Sequence, residues 1–175
     1  MSRMNALPIT HLIILAAGLI GATITDIARR RVPNVISAFV FVTGLAVRGY
    51  DLGVKGALGG VAASVILLFA LYGLWRARAV GGGDVKLAAA VGAWIGLSNL
   101  FWFVLASAVA GGVVAVACYF LAPASTRADV RANLVLAGLR GDLPPPEAVV
   151  QRKPAAAVPY AVAIAAGAAV ALLAV

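Results

Sequence analysis

The stretch at residues 100–122, LFWFVLASAVAGGVVAVACYFLA, decides the class of fold, because it contains no charged side chain. A helix needs about 20 apolar residues to cross the hydrocarbon core of a bilayer, and this segment meets that length. The whole chain has the same character: 63% of its 175 residues are hydrophobic, 11% are charged, and the mean hydropathy is +1.05. Soluble domains carry about 25% charged residues, so the composition indicates a membrane protein.

Five further apolar segments occupy residues 7–25, 35–47, 57–75, 85–97 and 155–175. Backbone polar groups in lipid must be hydrogen-bonded within their own segment, so each apolar segment is expected to be a helix. The segments at 35–47 and 85–97 are short for a span and must recruit flanking residues or thin the bilayer locally. The sequence therefore predicts an all-α membrane protein of about six transmembrane helices, forming one domain over residues 1–175.

The distribution of lysine and arginine predicts the orientation. With the N-terminus outside, all of the 14 basic residues except Arg3, Arg48 and Lys55 fall on the cytoplasmic side. Cytoplasmic loops carry an excess of Lys and Arg, so this arrangement is the expected one. The formal charge of +8 is then explained by basic loops, and no nucleic-acid partner is expected.

The longest connection without an apolar run is the predicted cytoplasmic loop at residues 123–154, which is interrupted by three prolines at 144–146. Between residues 126 and 139, Val130, Leu134 and Ala137 recur at helical spacing. This pattern suits either a short helix on the membrane surface or an ordinary solvated loop.

Two of the six acidic residues, Asp26 and Asp84, lie at the ends of apolar segments, and both are on the predicted cytoplasmic side. An ionisable group near the hydrocarbon is costly and is a functional candidate by default. Ordinary roles are available to each: Asp26 could pair with the arginines that follow it, and Asp84 could cap a helix. The other four acids fall in predicted loops and are Asp51, Asp129, Asp142 and Glu147.

Together, the two carboxyl groups suit an aspartyl protease. One carboxylate takes a proton from water while the other, protonated, polarises the carbonyl of the peptide bond that is cleaved. Two like charges brought close cannot both ionise easily, which favours a pair that holds one proton.

The residues around the two acids are expected to shape the site. Pro33 stops any helix from continuing past the first acid, and Asn34 is a candidate cap for the next helix. Gly81 and Gly83 allow a close approach of the backbone or conformations closed to other residues. Lys86 is expected to pair with the neighbouring Asp84 or to reach the lipid surface.

Other chemistries find little support in the sequence. His11 is the single histidine and lies near the opposite end of the first helix from the acids, so no serine or cysteine triad can be built around it. Cys118 is the single cysteine and lies in an apolar run. No metal or cofactor is expected, because two aspartates alone would hold a hard cation only loosely. A proton-coupled transporter that uses both aspartates as a relay, or a catalytically silent assembly scaffold, remains an alternative.

Three segments together resemble the signatures of type IV prepilin peptidases, the GxGD group of aspartyl proteases: Asp26-x6-Pro33-Asn34, Gly81-x-Gly83-Asp84-x-Lys86 and Pro159-Tyr160. The resemblance runs over nearly the whole chain. It implies catalysis by Asp26 and Asp84, with the glycine loop shaping the site.

The resemblance also implies a reaction and a place in the cell. The reaction is hydrolysis of one peptide bond after the short basic leader of a prepilin, at the cytoplasmic face of the bacterial inner membrane, in type IV pilus biogenesis. The chain is similar to the short, peptidase-only form found in tight-adherence (Flp-type) pilus systems, because it lacks the cysteine pairs of larger members. The expected partners are a prepilin and the bilayer, the oligomeric state is open, and no methyltransferase activity is expected.

Overall fold

A computed structural model describes residues 8–29, 31–77, 80–140 and 159–173. This part of the chain contains no strand and confirms the predicted all-α class. Its helices are α1 (Ile9–Arg29), α2 (Asn34–Arg76), α3 (Gly82–Ile95), α4 (Leu100–Leu121), α5 (Ala124–Arg140) and α6 (Tyr160–Leu173).

Helix α2 is a hairpin of two helical arms, residues 34–52 and 54–76, which meet at Gly53. Gly53 has φ +64° and ψ −160°, a backbone conformation that glycine adopts most readily. Both arms pack on the same point of α3: a Cβ added to Gly44 would lie 3.0 Å from the Ala93 carbonyl carbon, and one added to Gly60 would lie 2.8 Å from the Ala93 oxygen. The two arms correspond to the predicted helices at 35–47 and 57–75.

Within the described residues, three helices, α1, α2 and α4, are long and apolar enough to cross a membrane. Helices α3 and α6 have 14 residues each, which rise about 21 Å against a hydrocarbon thickness of about 30 Å. All six predicted apolar segments are therefore at least partly helical, while the number that cross the bilayer stays a prediction.

Helix α3 lies at the centre of the fold. Almost every residue from Asp84 to Ile95 is buried, Lys86 being the exception, and α3 packs chiefly against the two arms of α2. The Trp94 indole Nε1 donates a hydrogen bond of 2.7 Å to the Val40 carbonyl oxygen. Large apolar side chains on α1 and α4, such as Ile13 and Phe101, are in contrast exposed, as expected of surfaces that face lipid.

The C-terminal end of α3 is closed by Arg48 from the first arm of α2. The Arg48 guanidinium Nη1 donates to the carbonyl oxygens of Trp94 (3.2 Å) and Ile95 (3.1 Å), and its Nε donates to the Gly56 oxygen at 3.2 Å. The last carbonyls of a helix have no partner within the helix, so Arg48 supplies what α3 lacks there.

The chain divides into two compact units, Met1–Gly111 with Pro159–Val175, and Gly112–Val158. In the second unit, α5 confirms a helix within the predicted loop, and the Arg131 Nε donates to the Tyr119 hydroxyl at 2.7 Å. A position of α5 on the membrane surface and a single domain over residues 1–175 both stay predictions. The prolines at 144–146 lie outside the described residues.

Candidate active site

Asp26 and Asp84, which are 58 positions apart in the sequence, line one cavity of about 320 Å³. Both side chains are buried, with 6% and 9% of their surface exposed. The residues that line the cavity are Asp26, Arg31, Val32, Asn34, Gly81, Gly82, Gly83 and Asp84. The fold therefore brings the two acids to one cavity.

Asp26 lies in the last turn of α1 and is held by the start of α6. The Ala161 amide donates a buried hydrogen bond of 3.2 Å to the Asp26 carboxyl Oδ2. The N-terminus of a helix favours a negatively charged partner, and Pro159 stands immediately before α6. The Pro159-Tyr160 segment thus directly precedes the amide that binds Asp26. Among the described residues, no cation lies within ion-pair distance of Asp26.

Asp84 lies in the first turn of α3, but it does not cap that helix. The cap is Gly81, in an extended conformation with φ −70° and ψ 144°, and the Asp84 amide donates to the Gly81 oxygen at 3.1 Å. The Asp84 Oδ1 is buried and has no hydrogen-bond partner in the described structure. An unpartnered buried polar atom costs about 1–3 kcal/mol, and such an atom in a cavity is available to a ligand or substrate.

Two glycines of the loop lie where a side chain would crowd its neighbours. A Cβ at Gly81 would lie 2.7 Å from the Asp84 Oδ2, and one at Gly83 would lie 3.3 Å from the Val32 backbone nitrogen. Positive φ angles occur only at Gly53 and Gly96 among the described glycines. The expected role in backbone conformations closed to other residues is therefore wrong, and the expected close approach is right.

Pro33 lies at the start of α2 as predicted, whereas Asn34 makes a different contact from the one predicted. Pro33 is extended, with φ −61° and ψ 139°, and precedes the first residue of α2. Asn34 makes no capping hydrogen bond, contrary to the prediction; its Oδ1 accepts a 3.0 Å hydrogen bond from the Lys86 Nζ. Of the two alternatives predicted for Lys86, the ion pair with Asp84 is not found in the described structure.

The predicted set of site residues left out four contributors: Arg31, Val32, Gly82 and the Ala161 amide. Arg31 and Val32 could have been included, because they lie inside the segment that connects Asp26 to Pro33. Gly82 could have been found as the middle residue of a glycine triplet. The Ala161 amide carries no side-chain signal, since a backbone donor becomes part of a site only when its helix docks there.

His11 lies outside the cavity. It faces Asp51, with 3.4 Å between the His11 Nδ1 and the Asp51 Oδ2. The described residues hold no group of three or more His, Cys, Asp or Glu side chains that could bind a metal ion.

A pair of buried carboxyl groups in one cavity of an apolar helix bundle defines an acid-paired site in a membrane protein. Residues 13–116, more than half of the chain, match the type IV leader peptidase family, so the chain belongs to this family of proteases. The matched segment contains both Asp26 and Asp84 and confirms the resemblance inferred from the motifs. No curated protein and no solved structure matched the chain.

Proposed function

We propose that this leader peptidase is an aspartyl protease that uses Asp26 and Asp84 as its catalytic pair. The observation that carries the proposal is that the two buried carboxyl groups, from separate motifs, line the same cavity. The family supplies the class of reaction, and the two acids are the titratable groups of the cavity suited to activating water.

In the proposed mechanism, one aspartate is ionised and removes a proton from a water molecule, whose oxygen attacks the carbonyl carbon of the peptide bond. The other aspartate is protonated and donates a hydrogen bond to the carbonyl oxygen. A proton then passes to the leaving nitrogen, and the C–N bond breaks. The Ala161 amide orients Asp26, while the free Oδ1 of Asp84 leaves a position for water or the substrate carbonyl.

The proposed substrate is a prepilin of the Flp type, cleaved after its short basic leader. Support comes from the family and from the motifs it shares with prepilin peptidases. Because the cationic Arg31 lines the cavity, the basic residues of the leader are expected to lie away from that wall.

The proposed location is the bacterial inner membrane, with the cavity toward the cytoplasm. Exposed cations gather at the same ends of the helices as the two acids: Arg29 ends α1, Arg76 ends α2 and Lys86 is in the first turn of α3. Cytoplasmic ends of membrane helices are enriched in such residues, which supports this orientation.

We also propose that the protein cleaves without transferring a methyl group. The expectation comes from the similarity to the peptidase-only form. Incubation of the purified protein with a cleaved pilin and S-adenosylmethionine should leave the pilin unmethylated by mass spectrometry, and methyl incorporation would overturn this part.

The experiment that tests the function is co-expression of a prepilin with the wild type, Asp26→Asn and Asp84→Asn. The wild type should convert the prepilin to a faster-migrating form, and neither variant should, although both reach the membrane at wild-type levels. If no prepilin of a broad panel is cleaved and reconstituted vesicles instead conduct protons, the transporter alternative is favoured.

A further inference from the structure

Lys86 makes a contact that the proposed reaction does not use directly. Its Nζ donates a hydrogen bond of 3.0 Å to the Oδ1 of Asn34, although the two residues are 52 positions apart. Lys86 is exposed and does not line the cavity, whereas Asn34 does. The bond therefore joins the rim of the cavity on the α2 side to the first turn of α3, which carries Asp84.

The helices that carry the two aspartates both pack on α2 and on α6. Asp26 belongs to α1, which packs mainly on α2 and α6, and Asp84 belongs to α3, which packs mainly on α2 and also contacts α6. Each acid is also next to a non-helical connection, at residues 31–33 on one side and residues 80–81 on the other. Contacts between these two connections are what can fix the distance between the carboxyl groups.

Among the described residues, two contacts join positions that lie in or directly beside these connections. Gly83 lies against the backbone of Val32, where an added Cβ would be 3.3 Å from the nitrogen and 3.4 Å from the oxygen. This is a van der Waals approach, which limits how close the connections come but resists sliding only weakly. The Lys86–Asn34 hydrogen bond is directional and selects one register between them.

We propose that Asn34 and Lys86 form a positioning pair that holds the Asp84 segment in register with the Asp26 segment. This inference rests on the proposed function, since the register matters only if the two acids act together. A misplacement of about 1 Å in a catalytic group can cost about 100-fold in rate. An exposed hydrogen bond adds little to global stability, so its loss should appear in the rate and not in unfolding.

The kinetic test compares Lys86→Met with Lys86→Arg, which keeps a cationic donor at similar length. For the purified protein acting on a prepilin, Lys86→Met should lower kcat about tenfold and leave KM within about twofold. Lys86→Arg should recover most of kcat. The double variant Lys86→Met/Asn34→Leu should lose no more than the larger single effect, because both changes break the same bond. Wild-type kcat in Lys86→Met, or losses that multiply in the double variant, would overturn the pair.

A second measurement does not require cleavage and so separates this inference from the proposed function. Mass spectrometry can follow the reaction of lysines with an amine reagent in the detergent-purified protein, with the exposed Lys55 as the internal reference. Asn34→Leu should speed the labelling of Lys86 several-fold relative to Lys55. An unchanged ratio would mean that the bond does not form. A changed ratio, in a protein whose wild type cleaves no prepilin, would retain the contact and reject the proposed function instead.

Discussion

The two ends of α3 are built in opposite ways. At the C-terminal end, Arg48 donates hydrogen bonds to the Trp94 and Ile95 carbonyl oxygens, and Gly96 turns the chain with φ +64°. At the N-terminal end, Asp84 is buried with one carboxyl oxygen unpartnered, beside an open cavity. The carbonyl oxygens at the C-terminal end thus have hydrogen-bond partners, whereas a buried carboxyl oxygen at the N-terminal end has none.

The C-terminal end therefore anchors α3, whereas the N-terminal end carries a candidate catalytic side chain. A helix of 14 residues rises about 21 Å, so an α3 that starts at one membrane interface ends before the other. Backbone carbonyls inside the hydrocarbon need partners, which explains a cation at the C-terminal end. Buried polar groups without partners are rare, and they are tolerated where function requires them.

Among substitutions that keep both acids, the largest effect on cleavage is expected from Gly83→Val at the N-terminal end of α3. Its added carbons would press on the Val32 backbone, 3.3 Å from the position of the Cβ alone, and would push the Asp84 segment away. Cleavage of a prepilin should fall at least about 100-fold, measured as kcat/KM. The matched control is Gly73→Val, because nothing lies within 4 Å of the Cβ position there. Equal activity in the two variants would contradict the importance of the close approach.

A substitution at the C-terminal end of α3 should lower the stability of the fold and leave catalysis unchanged. Arg48→Met removes the donors to three carbonyl oxygens and should destabilise the folded protein by about 2 kcal/mol, seen as a lower unfolding temperature in detergent. Activity per folded molecule should stay near wild type. Lys55→Met, which removes an exposed cation in the second arm of α2, serves as the control and should unfold like wild type. Equal unfolding temperatures for the two variants would show that Arg48 does not anchor α3.

Asp84→Asn, at the N-terminal end of α3, is expected to change the stability of the fold by less than Arg48→Met and in the opposite direction. A neutral amide costs less to bury than a carboxylate, so the variant should be more stable by up to about 1 kcal/mol while it loses activity. Asp129→Asn, at an exposed position on α5, should leave the unfolding temperature unchanged. A clear loss of stability in Asp84→Asn would mean that this carboxyl group has a structural role.

Much of the fold could be predicted from the sequence, because lipid-facing helices need long apolar runs that are visible in one dimension. The sequence predicts a loop around Arg48 and Asp51, yet both residues continue the first arm of α2. There Arg48 donates to carbonyl oxygens of α3, and Asp51 lies 3.4 Å from the His11 Nδ1. Contacts between residues that are far apart in the chain produce no periodic pattern in the sequence.

The candidate site could likewise be predicted only in part. Asp26 and Asp84 could be predicted, since buried charge at the end of an apolar segment stands out against its surroundings. The Ala161 amide on Asp26 and the Lys86 bond to Asn34 could not, because each depends on how two distant helices dock. Of the two reasons predicted for Gly81 and Gly83, the structure supports the close approach and not the special backbone conformation.

The most direct test of the central claim, that two carboxyl groups in one cavity perform the cleavage, uses purified protein reconstituted in lipid vesicles with a prepilin. Mass spectrometry reads the new N-terminus formed by the wild type, by Asp26→Asn, by Asp84→Asn and by an equal mixture of the two variants. We predict one defined cleavage by the wild type and none by either variant or by the mixture, since both acids must belong to the same chain. Cleavage that persists in either variant at more than about a tenth of the wild-type rate would contradict the account.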